Sequence, residues 1–335
     1  MARLPGAPRR SLQPAELDLP RWVVRHTAVP AQRPGLGGRI PLRWQRRYLD
    51  AFGAVATVPA GTVARRTDLG GRPALRVTCG ATERPRAVLY LHGGAYMVGS
   101  PTSHKGLTAY LARDAGAVVF SLDYPLAPEH PHPAALHATV AAYRDLLGQG
   151  WEPSQLTIAG DSAGGGLAIA ACQALTAADP ATRPGALALI SPAVDLTEFT
   201  EPIDRKRARL DPVVRMRWAD AARVAYVGGG DASDPGINPV KGPLADLPPT
   251  IVQFDHDELL RDRVADFVEK ARAAGVEVRS HEYERTWHVM HAHASLWRVA
   301  REAVVELGGF IRDHTGTPSA SPVATRSDPA LTSTL

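Results

Sequence analysis

Short, almost wholly apolar runs recur along the middle of the chain, separated by longer stretches with helical spacing. Examples of the helical stretches are LTAYLARDAG, AALHATVAAYRDLL and RVADFVEKARAAG. Strands that are apolar on both faces are typical of a mostly parallel sheet covered by helices on each side. The predicted fold class is therefore α/β, doubly wound. The predicted strands are residues 87–91, 118–122, 156–159, 186–190, 250–254 and 276–283.

The pattern changes outside these runs. Residues 62–80 contain two β-capable runs around Gly70-Gly71, which predicts a hairpin. Residues 19–55 mix Trp, Leu and Val with Arg and Pro, which predicts short amphipathic helices. We expect these helices to form a cap together with a later polar insertion. The predicted boundaries are a disordered segment at 1–18, a helical cap segment at 19–55, a core at 56–315 with the cap insertion at about 197–228, and a disordered tail at 316–335.

Composition narrows the classes of function. The 335 residues are 44% hydrophobic, enough for one large core. A formal charge of +4 gives no basic field for nucleic acid, and the isolated Arg205-Lys206-Arg207-Ala208-Arg209 cluster is interpreted as a solvated helix or loop. Two cysteines make no disulfide framework. No signal-peptide core or apolar stretch of about 18 residues is present, so we expect a cytoplasmic protein without a membrane span.

The clearest chemical motif follows the third of the predicted strands. Strand residues 156–159 lead into Gly160-Asp161-Ser162-Ala163-Gly164, and a helical run begins at once. Gly-x-Ser-x-Gly between a strand and a helix is typical of a nucleophile elbow, in which a serine occupies a sharp, strained turn. A phosphate-binding loop would instead end in Gly-Lys-Ser/Thr, and this one continues with Gly-Leu-Ala. Ser162 is the candidate nucleophile.

A serine nucleophile needs a histidine base and a carboxylate that orients the base. Of 12 histidines, His288 comes just after the last predicted strand and is the best candidate. His291 and His293 could suggest a metal site, but without Cys or His-Glu-x-x-His we expect a partly exposed helix start and no metal. Spacing leaves four candidate acids open after strand 250–254, namely Asp255, Asp257, Glu258 and Asp262.

The turn His92-Gly93-Gly94-Ala95 ends the first of the predicted core strands and has almost no side chains. A tetrahedral intermediate needs N–H donors around its oxyanion, and elbow hydrolases supply them from such a turn and from the residue after the serine. The expected donors are the N–H groups of Gly93, Gly94 and Ala163, with Ala95 as a further candidate.

Over about residues 60–313 the chain resembles the hormone-sensitive-lipase-like family of α/β-hydrolases, which are bacterial carboxylesterases. The resemblance implies Ser162 as nucleophile and His288 as base. It also favours Glu258 as the acid, in the register of the family's Asp-Pro-Leu-Arg-Asp, with Asp257 as runner-up. The matching segments are YLHGGAYMVGS, DYPLAPEHPHPAALHATVAAYRDLL, IAGDSAGGGLA, LISPAVDLT, LADLPPTIVQFDHDELLRD and AGVEVRSHEYERTWHVMH.

The resemblance implies hydrolysis of short- to medium-chain acyl esters through a covalent acyl-enzyme, with no metal or organic cofactor. Lactones, amides or acetylated small molecules are alternative substrates, and a non-catalytic ligand receptor on the same fold is a further alternative. We expect Tyr96, Met97 and Trp218 to line the substrate pocket. The expected partner is a small-molecule ester, and a homodimer through an edge strand stays open.

Overall fold

The computed structural model describes residues 17–37, 40–80 and 85–316, and the two terminal segments predicted to be disordered lie almost wholly outside these ranges. Eight strands form one sheet: β1 (Thr62–Leu69), β2 (Arg72–Cys79), β3 (Ala87–Leu91), β4 (Val118–Leu122), β5 (Leu156–Asp161), β6 (Ala186–Ile190), β7 (Thr250–Asp255) and β8 (Val278–Tyr283). Their order is β1-β2-β4-β3-β5-β6-β7-β8. The six strands from β4 across to β8 are parallel, and β1 and β2 add an antiparallel edge.

Helices cover both faces of this sheet, as the apolar pattern predicts. They are α1 (Arg21–His26), α2 (Ala28–Gln32), α3 (Leu42–Ala54), α4 (Lys105–Ala115), α5 (Ala134–Gly148), α6 (Ala163–Ala178), α7 (Pro202–Leu210), α8 (Met216–Val227), α9 (Arg261–Ala273) and α10 (Arg298–His314). In β3, Leu89 and Leu91 pack in the core cluster that includes α5, α6 and α9. Val88 and Tyr90 face the cluster that includes α4 and α10. The strand is apolar throughout because neither of its faces meets water.

The predicted hairpin is confirmed. Strands β1 and β2 pair in antiparallel register from Thr62 opposite Cys79 to Leu69 opposite Arg72. Gly70 and Gly71 form the connection with φ of 61° and 74°. A two-residue hairpin turn with both φ values positive matches the twist of the strands, and glycine adopts it without a steric penalty.

Helices α1 to α3 and helices α7 and α8 lie outside the sandwich of sheet and covering helices. Parts of both groups line the cavity at the carboxyl end of the parallel strands, including Leu49 from α3 and Trp218 from α8. Arg46 of α3 is tied to the loop beyond β4 by two hydrogen bonds to the Glu129 carboxylate, at 2.9 and 2.7 Å. Among the helices of the described residues, none has the length and apolar composition needed to cross a membrane.

Two adjacent glycines of α10 offer a matched test of this packing. A Cβ at Gly308 would overlap the backbone of Asp114 and Ala115 in α4, whereas at Gly309 the nearest atom is Arg312 Nη2 at 3.7 Å. We expect Gly308→Ala to destabilise the protein by about 1–3 kcal/mol because α10 must move away from α4. Gly309→Ala should stabilise it by about 0.5–1 kcal/mol through helix propensity. Urea unfolding of both variants measures the difference, and equal stabilities would contradict the close helix crossing.

Candidate active site

Ser162 lies at the junction of strand β5 and helix α6. Its φ of 52° and ψ of −121° are outside the regions that a residue with a side chain ordinarily adopts. Two backbone hydrogen bonds hold it there: its N–H donates to Ile190 O at 2.8 Å, and its carbonyl accepts from the Ala193 N–H at 2.9 Å. The strained turn places the hydroxyl at the carboxyl edge of the sheet.

His288 follows β8 and reaches Ser162 from across the sheet edge. Its Nε2 lies 2.9 Å from Ser162 Oγ, and its Nδ1 lies 3.3 Å from Glu258 Oε2. The His288 side chain is 5% exposed and that of Glu258 is fully buried. With its proton on Nδ1, the imidazole donates to Glu258 and accepts from the Ser162 hydroxyl. The three side chains therefore form one continuous line of hydrogen bonds.

The four acids left open by spacing have different positions. The carboxylate of Asp255 accepts the N–H of Asp257 at 2.9 Å, which fixes the turn after β7. Asp262 is paired with an arginine of α7. Within the described residues, Glu258 is the member of the four that contacts His288. The structure therefore brings Glu258, and not the runner-up Asp257, to the imidazole.

Three carboxylates act on the His288 imidazole. Burial lowers its pKa, but Glu258 first, then Asp211 and Asp161, raise it, and the net result lies above the ordinary histidine value. Asp211 follows α7, and its carboxylate accepts the Leu259 N–H at 3.0 Å. The site therefore favours the imidazolium form more than water does.

The turn after β3 differs from the sequence-based expectation at one residue. The Gly93 N–H donates to Asp161 Oδ1 at 3.0 Å, so it is not available to a substrate, and the prediction that it is a free donor is wrong. A Cβ at position 93 would overlap the Asp161 carboxylate. Glycine at position 93 therefore leaves room for the Asp161 carboxylate, and not for a substrate oxygen.

The other predicted amides keep their hydrogens free. The N–H groups of Gly94, Ala95 and Ala163 make no hydrogen bond within the described part of the chain, and all three residues line the same cavity as Ser162. Ala95 has a φ of 52°, which is unusual for a residue with a side chain. Its amide takes the place that sequence analysis gave to Gly93.

Sequence reasoning missed the groups beneath this turn. Asp161 precedes the serine and also accepts the Tyr90 hydroxyl at 2.7 Å. His104, which the sequence places on a loop with no link to the site, lies 3.4 Å from Asp161 through Nε2. His92 stacks on Tyr124, with ring centroids 4.3 Å apart. Position in the motif could have drawn attention to Asp161, but nothing in the sequence signals that His104 is its partner.

Ser162 and His288 open into a cavity of about 1370 Å³, counting its open mouth. Tyr96 and Trp218 are part of its wall, whereas Met97 is not. The prediction for Met97 is wrong because the chain turns sharply after Gly94, and the Met97 side chain packs into the core instead. The apolar part of the wall includes Leu36, Leu49, Phe52, Leu107, Leu196, Phe199, Val213, Val214, Ala219, Ala222 and Leu260.

Comparison with known proteins places this geometry in a family. A family model described as the α/β hydrolase fold matches residues 88–292. The chain belongs to this family. A crystal structure of an esterase from the bacterial hormone-sensitive lipase family superposes with a TM-score of 0.83 at 31% identity, covering 89% of this chain and 100% of that one. The resemblance to hormone-sensitive-lipase-like α/β-hydrolases is thereby confirmed.

Two relatives of this α/β-hydrolase have names that denote hydrolases. An acetyl-hydrolase of Streptomyces hygroscopicus is 39% identical over 274 residues, which are 81% of this chain and 88% of the relative. The carboxylesterase/phospholipase LipF of Mycobacterium tuberculosis is 33% identical over 258 residues, 75% of this chain and 67% of the relative.

The histidines that follow His288 in this α/β-hydrolase are not partly exposed, as the sequence led us to expect. His291 is 1% exposed and its Nε2 lies 2.8 Å from Gln253 Oε1. His293 is 3% exposed and its Nδ1 accepts from Trp287 Nε1 at 3.3 Å. Burial lowers their pKa values to about 3 and about 4. Across residues 17–37, 40–80 and 85–316, no group of three or more His, Cys, Asp or Glu side chains is arranged to hold a metal ion.

The role of Glu258 can be tested on the imidazole itself. Because the Glu258 charge raises the pKa of His288, Glu258→Gln should lower that pKa, whereas the partly exposed Asp257→Asn should leave it nearly unchanged. A histidine NMR titration of the two variants and the parent protein measures both shifts. A larger shift in Asp257→Asn than in Glu258→Gln would identify the wrong acid.

Proposed function

We propose that this protein is a serine carboxylesterase that hydrolyses short- to medium-chain acyl esters through a covalent acyl-enzyme. The observation that carries the proposal is the line of contacts from Ser162 Oγ to His288 Nε2 at 2.9 Å and from His288 Nδ1 to Glu258 at 3.3 Å, in one cavity. A serine, a histidine and a carboxylate in this order are the groups that acyl transfer requires. The names of the relatives support the same reaction class.

In the first step, His288 Nε2 takes the proton from the Ser162 hydroxyl as Oγ attacks the ester carbonyl carbon. The carbonyl π bond opens, and the electron pair moves to the carbonyl oxygen, which becomes an oxyanion. We assign its stabilisation to the N–H groups of Gly94, Ala95 and Ala163, which have no other acceptor among the described residues. Glu258 stabilises the imidazolium that forms.

The tetrahedral intermediate then collapses, and the bond between the acyl carbon and the alcohol oxygen breaks. His288 gives its proton to that oxygen, so that the alcohol leaves and the acyl group remains on Ser162. A water molecule then attacks the acyl carbon and gives a proton to His288. The bond from the acyl carbon to Ser162 Oγ breaks as His288 returns that proton to Oγ, and the carboxylic acid is released. Every proton in both halves of the reaction passes through Nε2 of one imidazole.

The lining of the cavity favours the proposal that the substrates are esters of modest size. Residues of two segments line the cavity that holds Ser162, and we propose that residues 19–55 and about 197–228 act as a cap on a core of residues 56–315. The wall is mainly apolar, with Leu36 and Phe52 from one cap segment and Trp218 from the other. Apolar walls with a few convergent polar groups are typical of small-molecule sites.

Among the alternative substrates, acetylated small molecules have a specific observation in their favour, because a relative at 39% identity is named an acetyl-hydrolase. The reaction is the same, with acetyl as the acyl group. A non-catalytic receptor would have no need for a buried carboxylate and imidazole aligned on a strained serine, and these alignments cost stability.

Replacement of the nucleophile tests the reaction class. Ser162→Ala should lower kcat on p-nitrophenyl acetate by about 10⁴- to 10⁶-fold, because the oxyanion amides remain while the acyl-enzyme cannot form. A fluorophosphonate probe followed by peptide mass spectrometry should find one adduct, on Ser162. Labelling at another serine, or a variant that keeps more than a tenth of the parent rate, would show that Ser162 is not the nucleophile.

The acid side of the pH profile follows from the pKa of His288. The base must be neutral, and its pKa is raised, so activity is lost as the pH falls through a value above the ordinary histidine pKa of about 6.5. We expect kcat/KM on p-nitrophenyl acetate to rise with pH and to reach half its limit above about pH 6.5. Measurement between about pH 5 and 8 decides this, and a flat profile contradicts His288 as the base.

A further inference from the structure

His104 lies directly beneath the turn that holds the oxyanion amides. It precedes helix α4, and its side chain is 16% exposed. Its Nε2 lies 3.4 Å from Oδ2 of Asp161, the residue before the nucleophile. The other oxygen of that carboxylate, Oδ1, holds the Gly93 N–H at 3.0 Å. His104 is therefore linked through one carboxylate to both the serine and the turn.

The oxygens around His104 are placed to accept a proton from each ring nitrogen. Nε2 faces a carboxylate, which only accepts. Nδ1 lies 2.9 Å from Ser103 Oγ and 3.4 Å from Ser100 O. The Ser103 hydroxyl gives its own proton to Ser100 O at 2.9 Å, so towards Nδ1 it acts as an acceptor. Both nitrogens are thus donors, and an imidazole with two N–H groups carries a positive charge.

The charged groups facing His104 come from several elements. The Asp161 side chain of β5 is 3% exposed, and the Asp50 carboxylate of α3 accepts the Ser100 hydroxyl. Both carboxylates favour the protonated form of His104. Tyr90 of β3 has its ring 6.5 Å away and donates to Asp161. His92, with its ring at 5.5 Å, opposes a positive charge, but burial lowers its own pKa to about 3 and it stays neutral.

We propose that His104 is a positioning residue of this esterase: as a cation it neutralises Asp161 and so allows the oxyanion to form beside a buried carboxylate, and loss of its proton sets an alkaline limit to activity. The inference rests on the proposed function. A bare Asp161 charge next to Ser162 would repel the negative charge that develops on the substrate oxygen. It would also draw the Gly93 amide, and with it the turn, out of the productive position.

Titration directions agree with this arrangement. Burial lowers the pKa of His104, but the charge of Asp161 and its hydrogen bond raise it, with a net rise. Burial raises the pKa of Asp161, and His104 lowers it, with a net fall. Both shifts favour the ion pair at neutral pH. The pair is lost when the pH rises through the elevated pKa of His104, so this limit lies above the ordinary histidine value of about 6.5.

The experiment compares His104→Gln with His137→Gln, a change of an exposed histidine on α5. Rates on p-nitrophenyl acetate, corrected for spontaneous hydrolysis, give kcat and KM against pH. We expect His104→Gln to lower kcat by about 10- to 100-fold, less than the 10²- to 10³-fold of a lost oxyanion donor, with KM little changed. The alkaline fall of the parent protein should disappear in His104→Gln and persist in His137→Gln.

Two further measurements test the charge on His104 and its effect on Asp161 separately from the pH profile. The NMR signal absent from the His104→Gln spectrum should show a mainly protonated imidazole at about pH 6.5 in the parent protein, because the His104 pKa is raised above its ordinary value. In the double variant His104→Gln/Asp161→Asn, kcat should recover above that of His104→Gln, because both charges are then removed. A neutral His104 signal, an alkaline fall that survives in His104→Gln, or no recovery in the double variant would each overturn the proposal. Absence of any ester hydrolysis by the parent protein would instead reject the proposed function.

Discussion

The backbone of Ser162 is held in a conformation that a serine does not adopt freely, and the site is built around that constraint. Its φ of 52° is maintained because its N–H and carbonyl are bonded to the chain at the end of β6, through Ile190 and Ala193. Parallel pairing of β3, β5, β6, β7 and β8 brings their carboxyl ends to one edge. The turn after β3, Glu258 after β7 and His288 after β8 can therefore meet at one site, in which His288 contacts both Ser162 and Glu258.

Much of the fold follows from the pattern of apolar residues. The runs at 87–91, 118–122 and 186–190 match their strands, and the last of the strands begins two residues later than predicted, at Val278. So many consecutive apolar residues are typical of strands that are buried on both faces of the sheet. The neighbouring side chains Ser162 and His288 were also within reach of sequence reasoning, because elbow chemistry fixes the order serine, acid, histidine along the chain. Spacing along the chain could not separate Glu258 from its neighbours, since the choice depends on which side chain points inward.

What the sequence could not predict depends on contacts between distant segments. Arg207 lies in a basic run that was interpreted as solvated, but it is 8% exposed and bound to the Asp262 carboxylate at 3.0 Å. His291 and His293 are expected near the surface, but His291 Nε2 lies 2.8 Å from Gln253 of β7 and His293 Nε2 lies 2.8 Å from Gln32 of α2. A polar residue looks exposed in a sequence whenever the group that satisfies it lies far away along the chain. Gly93 was misread for the same reason, because its amide partner, Asp161, is 68 positions distant.

Three buried carboxylates act on one imidazole, and each has a different set of hydrogen-bond partners. Glu258 is bound by His288 and by the Ser191 hydroxyl at 2.6 Å. Asp211 accepts backbone N–H groups, including that of Val213 at 2.8 Å, and burial raises its pKa. Asp161 accepts the Tyr90 hydroxyl and the Gly93 N–H through Oδ1, and its Oδ2 lies 3.4 Å from His104 Nε2. A buried charge without a partner is costly. The position of Asp161 in the elbow, directly before Ser162, therefore explains why a second histidine, His104, lies beside it.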